Sequence, residues 1–122
     1  MVATDACSVV VADDVAEVRQ LLEDALTLAG HFSVIGTAAD GREAVDMVCR
    51  LTPDVAVVDI AMPAMDGLEA IPYIRECSPA THIVVLSAFP AAEQEALARG
   101  ADVFVEKGTP VREIVATIKA FC

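Results

Sequence analysis

DVAVVDIAMPAMDG, Asp54 to Gly67, is the stretch that decides how this chain folds. Val55-Ala56-Val57-Val58 is a short, unbroken apolar run between turn signals, which fits a parallel strand covered on both faces. The run delivers one carboxylate, Asp59, to its C-terminal end. Met62-Pro63 then interrupts any helix, and Met65-Asp66-Gly67 turns the chain into the next one. In open α/β sheets, ligands and chemistry collect outside the carboxyl ends of the strands. Asp59 therefore stands where a functional group belongs.

Working outward from that strand, the same alternation repeats in both directions. Cys7–Ala12 (CSVVVA) reads as a first strand ending at Asp13-Asp14, followed by a helix over Val15–Ala29. That helix has an apolar stripe of Val18, Leu21, Leu22, Ala25, Leu28 and Ala29, and Gly30 stops it. Phe32–Thr37 is a second strand. Glu43–Leu51 is a second helix, with Ala44, Val45, Val48 and Leu51 inward and Pro53 closing it. After the central strand come a helix over Leu68–Cys77, with Pro72 assigned to its first turn, and a strand over Ile83–Ser87. A helix over Ala91–Arg99, a strand over Val103–Glu106 and a helix over Pro110–Phe121 complete the chain. Thr109 is expected to cap that last helix, with Pro110 at its first position. Five strands alternating with five helices predict an α/β, doubly wound (βα)5 domain with a five-stranded parallel sheet and right-handed crossovers. Residues 1–122 are expected to form a single domain, without repeat or linker.

Composition sets the outer limits. Hydrophobic residues make up 56% of the 122 and charged ones 22%, a globular balance. No apolar run nears the ~20 residues that span a bilayer. The N-terminus lacks a basic stretch ahead of an apolar one, so the expected location is cytoplasmic, away from any membrane. A formal net charge of −11 disfavours nucleic acid as a partner of this domain and suits cations. Cys7, Cys49, Cys77 and Cys122 have no CxxC spacing. Free thiols are expected over a zinc site or a disulfide framework. His31 and His82 lack a second ligand at metal spacing, and there is no GxGxxG or P-loop.

The strand ends gather the chemistry. Asp13-Asp14, Asp59, Ser87 and Lys107 all fall at one edge of the predicted sheet. Taken singly, each has an ordinary reading: helix cap, loop acid, loop hydroxyl, surface lysine. Their coincidence at one edge is what capping does not explain. Crowded carboxylates repel one another unless a cation intervenes. A site of hard oxygens with few protein ligands fits Mg2+ together with a phosphoryl group. A carboxylate nucleophile, a metal, a lysine and a hydroxyl are the parts that phosphoryl transfer requires.

VVVADD (Val9–Asp14), VVDIAMPAMDG (Val57–Gly67), VLSA (Val85–Ala88) and ADVFVEKG (Ala101–Gly108), in this order, resemble the receiver domain of two-component response regulators. The resemblance runs from about Ser8 to Phe121. It implies the flavodoxin-like strand order 2-1-3-4-5. It also implies that Asp59 accepts a phosphoryl group from a phosphohistidine on a sensor histidine kinase. Asp14 would ligate Mg2+ directly and Asp13 mainly through water, with Asp59 and the carbonyl of Ala61 completing the protein's share. Lys107 and Ser87 would contact the phosphoryl group. Ser87 and Phe104 would be switch residues, altering the surface formed by the fourth helix, fifth strand and fifth helix. A homodimer on phosphorylation would follow.

Gly108 after Lys107, where many receivers have proline, resembles the branch that carries a C-terminal LuxR/NarL-type helix-turn-helix. The chain is accordingly expected to be the N-terminal domain of a longer transcription regulator, with a stand-alone receiver as the alternative. Ala61 and the bulky Phe89 predict slow autodephosphorylation. Ala61 also weighs against a Mg2+-dependent phosphohydrolase, which needs an acid/base at that position. The absence of tryptophan, with Tyr73 as the single tyrosine, weighs against a flavin carrier. The expected activity is thus that of a phospho-acceptor signalling domain, not an enzyme acting on a separate substrate.

Overall fold

The computed structural model describes residues 6–122. Its elements are β1 (Cys7–Ala12), α1 (Ala16–Ala29), β2 (Phe32–Ala38), α2 (Gly41–Leu51), β3 (Val55–Val58) and α3 (Gly67–Cys77). They continue with β4 (His82–Ser87), a 3-10 turn (Pro90–Ala92), α4 (Glu93–Arg99), β5 (Val103–Glu106) and α5 (Val111–Lys119). The five strands form one sheet in the order β2-β1-β3-β4-β5, and every pairing is parallel. The doubly wound architecture and the expected 2-1-3-4-5 order are both observed.

Side chains on a strand alternate between faces, and here both faces are buried. Val10, Ala12, Ala56, Val58, Ile83 and Val85 face α2, α3 and α4, where Ala44, Val48, Ala70, Ile71, Ile74 and Ala96 meet them. Val9, Val11, Val55, Val57, Val84 and Leu86 face α1 and α5, against Leu22, Leu26, Ile114 and Ile118. This double burial is why β1, β3 and β4 carry unbroken apolar runs instead of alternating ones.

Several local expectations are corrected. On α1 the buried residues are Leu22 and Leu26, whereas Leu21 and Leu28 are exposed, Leu28 by 88%. At 3.6 residues per turn, Leu21 and Leu28 lie about 100° or more from Leu22, on the flank of the buried stripe. The helix expected from Ala91 starts at Glu93, after the 3-10 turn that Pro90 opens. Pro72 is the sixth residue of α3, not part of its first turn. It cannot donate to the carbonyl of Leu68, and Arg99 Nη1 takes that place at 3.2 Å. Thr109 does not cap α5. Pro110 is the cap residue, with extended ψ, and its carbonyl accepts the amides of Glu113 and Ile114.

The cysteines are the largest correction. Cys7 is bonded to Cys122 and Cys49 to Cys77, so no cysteine is free. The cause is topology and not spacing. α5 runs back toward the start of β1, bringing the chain end within a Cα distance of 5.6 Å. The neighbouring helices α2 and α3 bring the second pair to 5.4 Å. The His82 and Phe121 rings, 5.0 Å apart, add a contact beside the first bridge.

Candidate functional site

Parallel register sets the strand ends level. Ala12 pairs with Val58 and Val58 with Val85, so Asp13 and Asp59 leave the sheet side by side. The Asp59 amide donates to the Ala12 carbonyl at 2.9 Å, and the Asp13 amide to the Ala38 carbonyl at 3.0 Å. Across the sheet, the Lys107 amide donates to the Ser87 carbonyl at 3.0 Å, which joins β5 to β4. The edge thus holds Asp13, Asp59, Ser87 and Lys107 on backbone that is itself hydrogen-bonded.

The loop after β3 is closed tightly over Asp59. The Gly67 amide donates to the Ile60 carbonyl at 2.8 Å, and a Cβ at Gly67 would collide with the Asp59 carbonyl oxygen. Ala64 takes a left-handed φ of 67°, and the Met65 amide donates to the Pro63 carbonyl at 2.7 Å in a three-residue turn. Asp66 and Glu69 form a reciprocal capping box that starts α3 as soon as the loop ends. Ala61 is exposed at the beginning of this loop.

Asp13 and Asp59 are 1% and 3% exposed, and Asp14 is exposed. Carboxylate oxygens of Asp13, Asp14 and Asp59 all lie within 4.8 Å of one another. Lys107 Nζ donates to Asp59 Oδ2 at 3.1 Å and lies 2.9 Å from Asp13 Oδ2. The approach to Asp13 has ion-pair distance, so the one ammonium is split between Asp13 Oδ2 and Asp59 Oδ2, and Lys107 is the only partner of the Asp13 oxygen among the described residues. One ammonium is shared by two buried carboxylates, with the exposed Asp14 carboxylate close to both. Burial, and then the charge of Asp13, hold the Asp59 carboxyl above its ordinary pKa despite the hydrogen bond and charge of Lys107. Burial pulls Lys107 down, but its contacts with Asp13 and Asp59 outweigh that and raise the ammonium above its ordinary value.

A buried Asp13 oxygen met only by a shared ammonium, an excess of negative charge and an all-oxygen donor set fit a hard divalent cation such as Mg2+, which takes one or two carboxylates and keeps several waters. Ser87 is fully buried, and its Oγ accepts the Phe89 amide at 3.0 Å, which leaves its proton to donate elsewhere. Phe104 on β5 is half-buried and packs toward the α2–α4 side. Phe89 is 53% exposed just beyond Ser87.

Two contributors escaped the sequence reading. Gly67 looked like an ordinary turn glycine, and nothing local signalled the backbone it must pass. Arg19, the one basic residue of α1, donates from Nη1 to the Asp13 carbonyl at 2.7 Å. Its position in the first helical turn after the acidic pair was the only available sign.

The family model for the response regulator receiver domain matches residues 9–119. The chain belongs to that family. Receiver domains are the signalling domains of two-component systems, and phosphorelay is the chemistry of the family. The chain is 42% identical over 101 residues to the chemotaxis protein CheY of Thermotoga maritima, covering 81% of this chain and 83% of that one. It superimposes with a TM-score of 0.90 and 35% identity on the signal receiver domain of the putative response regulator NarL from Mycobacterium tuberculosis, covering 95% of each chain. It also matches the CheX-CheY-BeF3-Mg+2 complex from Borrelia burgdorferi, with a TM-score of 0.87, 28% identity and coverage of 95% of this chain and 90% of that one. The matched region spans 52% of the probable transcriptional regulatory protein NarL of M. tuberculosis. It spans only 24% and 30% of two protein-glutamate methylesterases, from Geobacter metallireducens and a Nocardioides species. No helix among the described residues is long and apolar enough to cross a membrane.

Proposed function

We propose that Asp59 accepts a phosphoryl group from the phosphohistidine of a sensor histidine kinase. The observation that carries this reading is the buried Asp59 carboxylate, which shares the Lys107 ammonium with the buried Asp13 carboxylate. In the transfer, an Asp59 oxygen forms a bond to phosphorus. The phosphorus–nitrogen bond to the donor imidazole breaks, and its electron pair leaves with that nitrogen. Asp13, Asp14, Asp59 and the Ala61 carbonyl would hold Mg2+, whose charge would neutralise the phosphoryl oxygens. Lys107 turns from the carboxylate to a phosphoryl oxygen, and Ser87 donates its free hydroxyl proton to another. As Ser87 moves inward, Phe104 turns into the space behind it, and the α4–β5–α5 surface changes. Without a tyrosine hydroxyl, the two rotamers of Phe104 differ by packing alone.

Residues 1–122 are best read as one receiver domain. The output we favour is transcription control through a fused DNA-binding domain, with phosphorylation promoting a homodimer. The NarL likeness and Gly108 after Lys107 support this. A stand-alone receiver that docks a protein partner is the second reading, supported by the 42% identity to CheY. A phosphohydrolase is disfavoured by Ala61, which supplies no acid or base. The test is incubation of the purified chain with acetyl phosphate, with and without Mg2+, read by intact mass. A single adduct that needs Mg2+ and is absent from Asp59→Asn is expected. Donor turnover without an adduct would favour the phosphohydrolase instead.

A further inference from the structure

We propose that Arg19 is a positioning residue that aims the Asp13–Asp14 carboxylates at the cation. The inference rests on reading the acidic pocket as a Mg2+ site. Asp13 is held at every polar atom except one. Its amide bonds to Ala38, its Oδ1 accepts the Val15 amide at 2.9 Å, and its carbonyl accepts Arg19 Nη1 at 2.7 Å. The remaining oxygen, Oδ2, faces Lys107. Asp14 is different. It is exposed, and among the described residues its carboxylate makes no hydrogen bond or ion pair that would orient it.

The peptide unit between the two aspartates is planar, so the Asp13 carbonyl and the Asp14 nitrogen turn together. Fixing that carbonyl fixes the plane from which the Asp14 Cα projects. Arg19 is placed to do this. Its amide bonds to the Val15 carbonyl in the first turn of α1, and helical side chains tilt toward the N-terminus. The guanidinium therefore reaches back six residues to the strand end. The rigid base of α1 is thereby coupled to the one carboxylate of the three that lacks an anchor of its own.

The guanidinium also brings positive charge close to a site for a cation. Charge alone would weaken Mg2+ binding, whereas the clamp would strengthen it, so the two effects have opposite signs. The experiment is a calorimetric Mg2+ titration of wild type, Arg19→Met and Arg19→Lys at fixed ionic strength, on metal-free protein. Alongside it, exchange of the Val15 amide is measured by NMR in chelator. With the clamp, Arg19→Met binds Mg2+ roughly tenfold more weakly although the pocket has lost a positive charge. Its Val15 amide exchanges faster without metal, and Arg19→Lys, which keeps the charge and one donor, recovers most of both. Equal or tighter Mg2+ binding by Arg19→Met overturns the proposal. Unchanged Val15 exchange in Arg19→Met overturns it as well, even if wild type binds no Mg2+. That last result in wild type would separately defeat the reading of the pocket.

Discussion

Asp59 is asked to carry a charge that its surroundings resist. Burial and Asp13 raise its pKa, so its ionisation weakens the metal-free fold. The stability attached to this group is complete below its ordinary pKa near 3.8 and is lost as pH rises through the higher folded value. In chelator at neutral pH, Asp59→Asn should therefore melt a few degrees above wild type, and the gap should close on acidification. A lower melting temperature for Asp59→Asn would mean that the bond to Lys107 outweighs the repulsion. Lys107 has the opposite sign. Its raised pKa contributes stability that is present below about 10.5 and lost as pH rises through the folded value. Lys107→Met should destabilise toward the roughly 3 kcal/mol typical of a buried ion pair stripped of one partner, as denaturant titration would measure. Gly67→Ala should cost about 1–3 kcal/mol, because the new methyl meets the Asp59 carbonyl. Asp13, Asp14, Asp59, Ser87 and Lys107 could be placed at one sheet edge from sequence because each lies at or just past a strand end. Arg19 and Gly67 could not, because their roles lie in contacts with backbone that only the folded loops create.

Within the elements, strands were easier to read than helix ends. A buried parallel strand is an apolar run with turn residues on either side, and β3 and β4 emerged within a residue of expectation. Helix ends depend on partners outside the helix. Pro110 takes an extended ψ and becomes the cap itself, and Pro72 survives inside α3 because Arg99 of α4 satisfies the stranded Leu68 carbonyl. This pairing gives a double-mutant prediction. Pro72→Ala restores the amide and should stabilise by up to about 3 kcal/mol. Arg99→Ala should cost more in wild type than in the Pro72→Ala background. Equal costs, measured by chemical denaturation, would show that Arg99 does not serve the carbonyl.

For the whole molecule, architecture followed from periodicity and the covalent links did not. Five strand–helix repeats specify a doubly wound sheet, but no spacing rule pairs residues 115 positions apart, as Cys7 and Cys122 are. That bridge closes nearly the entire chain. In the chain-entropy account a loop of about 100 residues is worth roughly 4.7 kcal/mol, and a shorter loop such as that of Cys49 and Cys77 is worth less. Reduction should lower the denaturant midpoint, and the Cys7→Ser, Cys122→Ser pair should account for the larger part. A midpoint indifferent to reductant would contradict the pairing. Neither bridge involves a residue of the acidic pocket, so Mg2+ affinity should survive reduction while the protein remains folded.

Whether Asp59 is the phosphoryl acceptor is decided by chemical mapping of the modified residue. The chain is phosphorylated by acetyl phosphate with Mg2+, reduced with borohydride to convert the acyl phosphate to homoserine, and sequenced by tandem mass spectrometry. The predicted result is homoserine at position 59 alone, within the Asp54–Gly67 stretch. Homoserine at position 13 or 14, or at no position in a chain shown to be folded and to bind Mg2+, would rule out Asp59 as the acceptor.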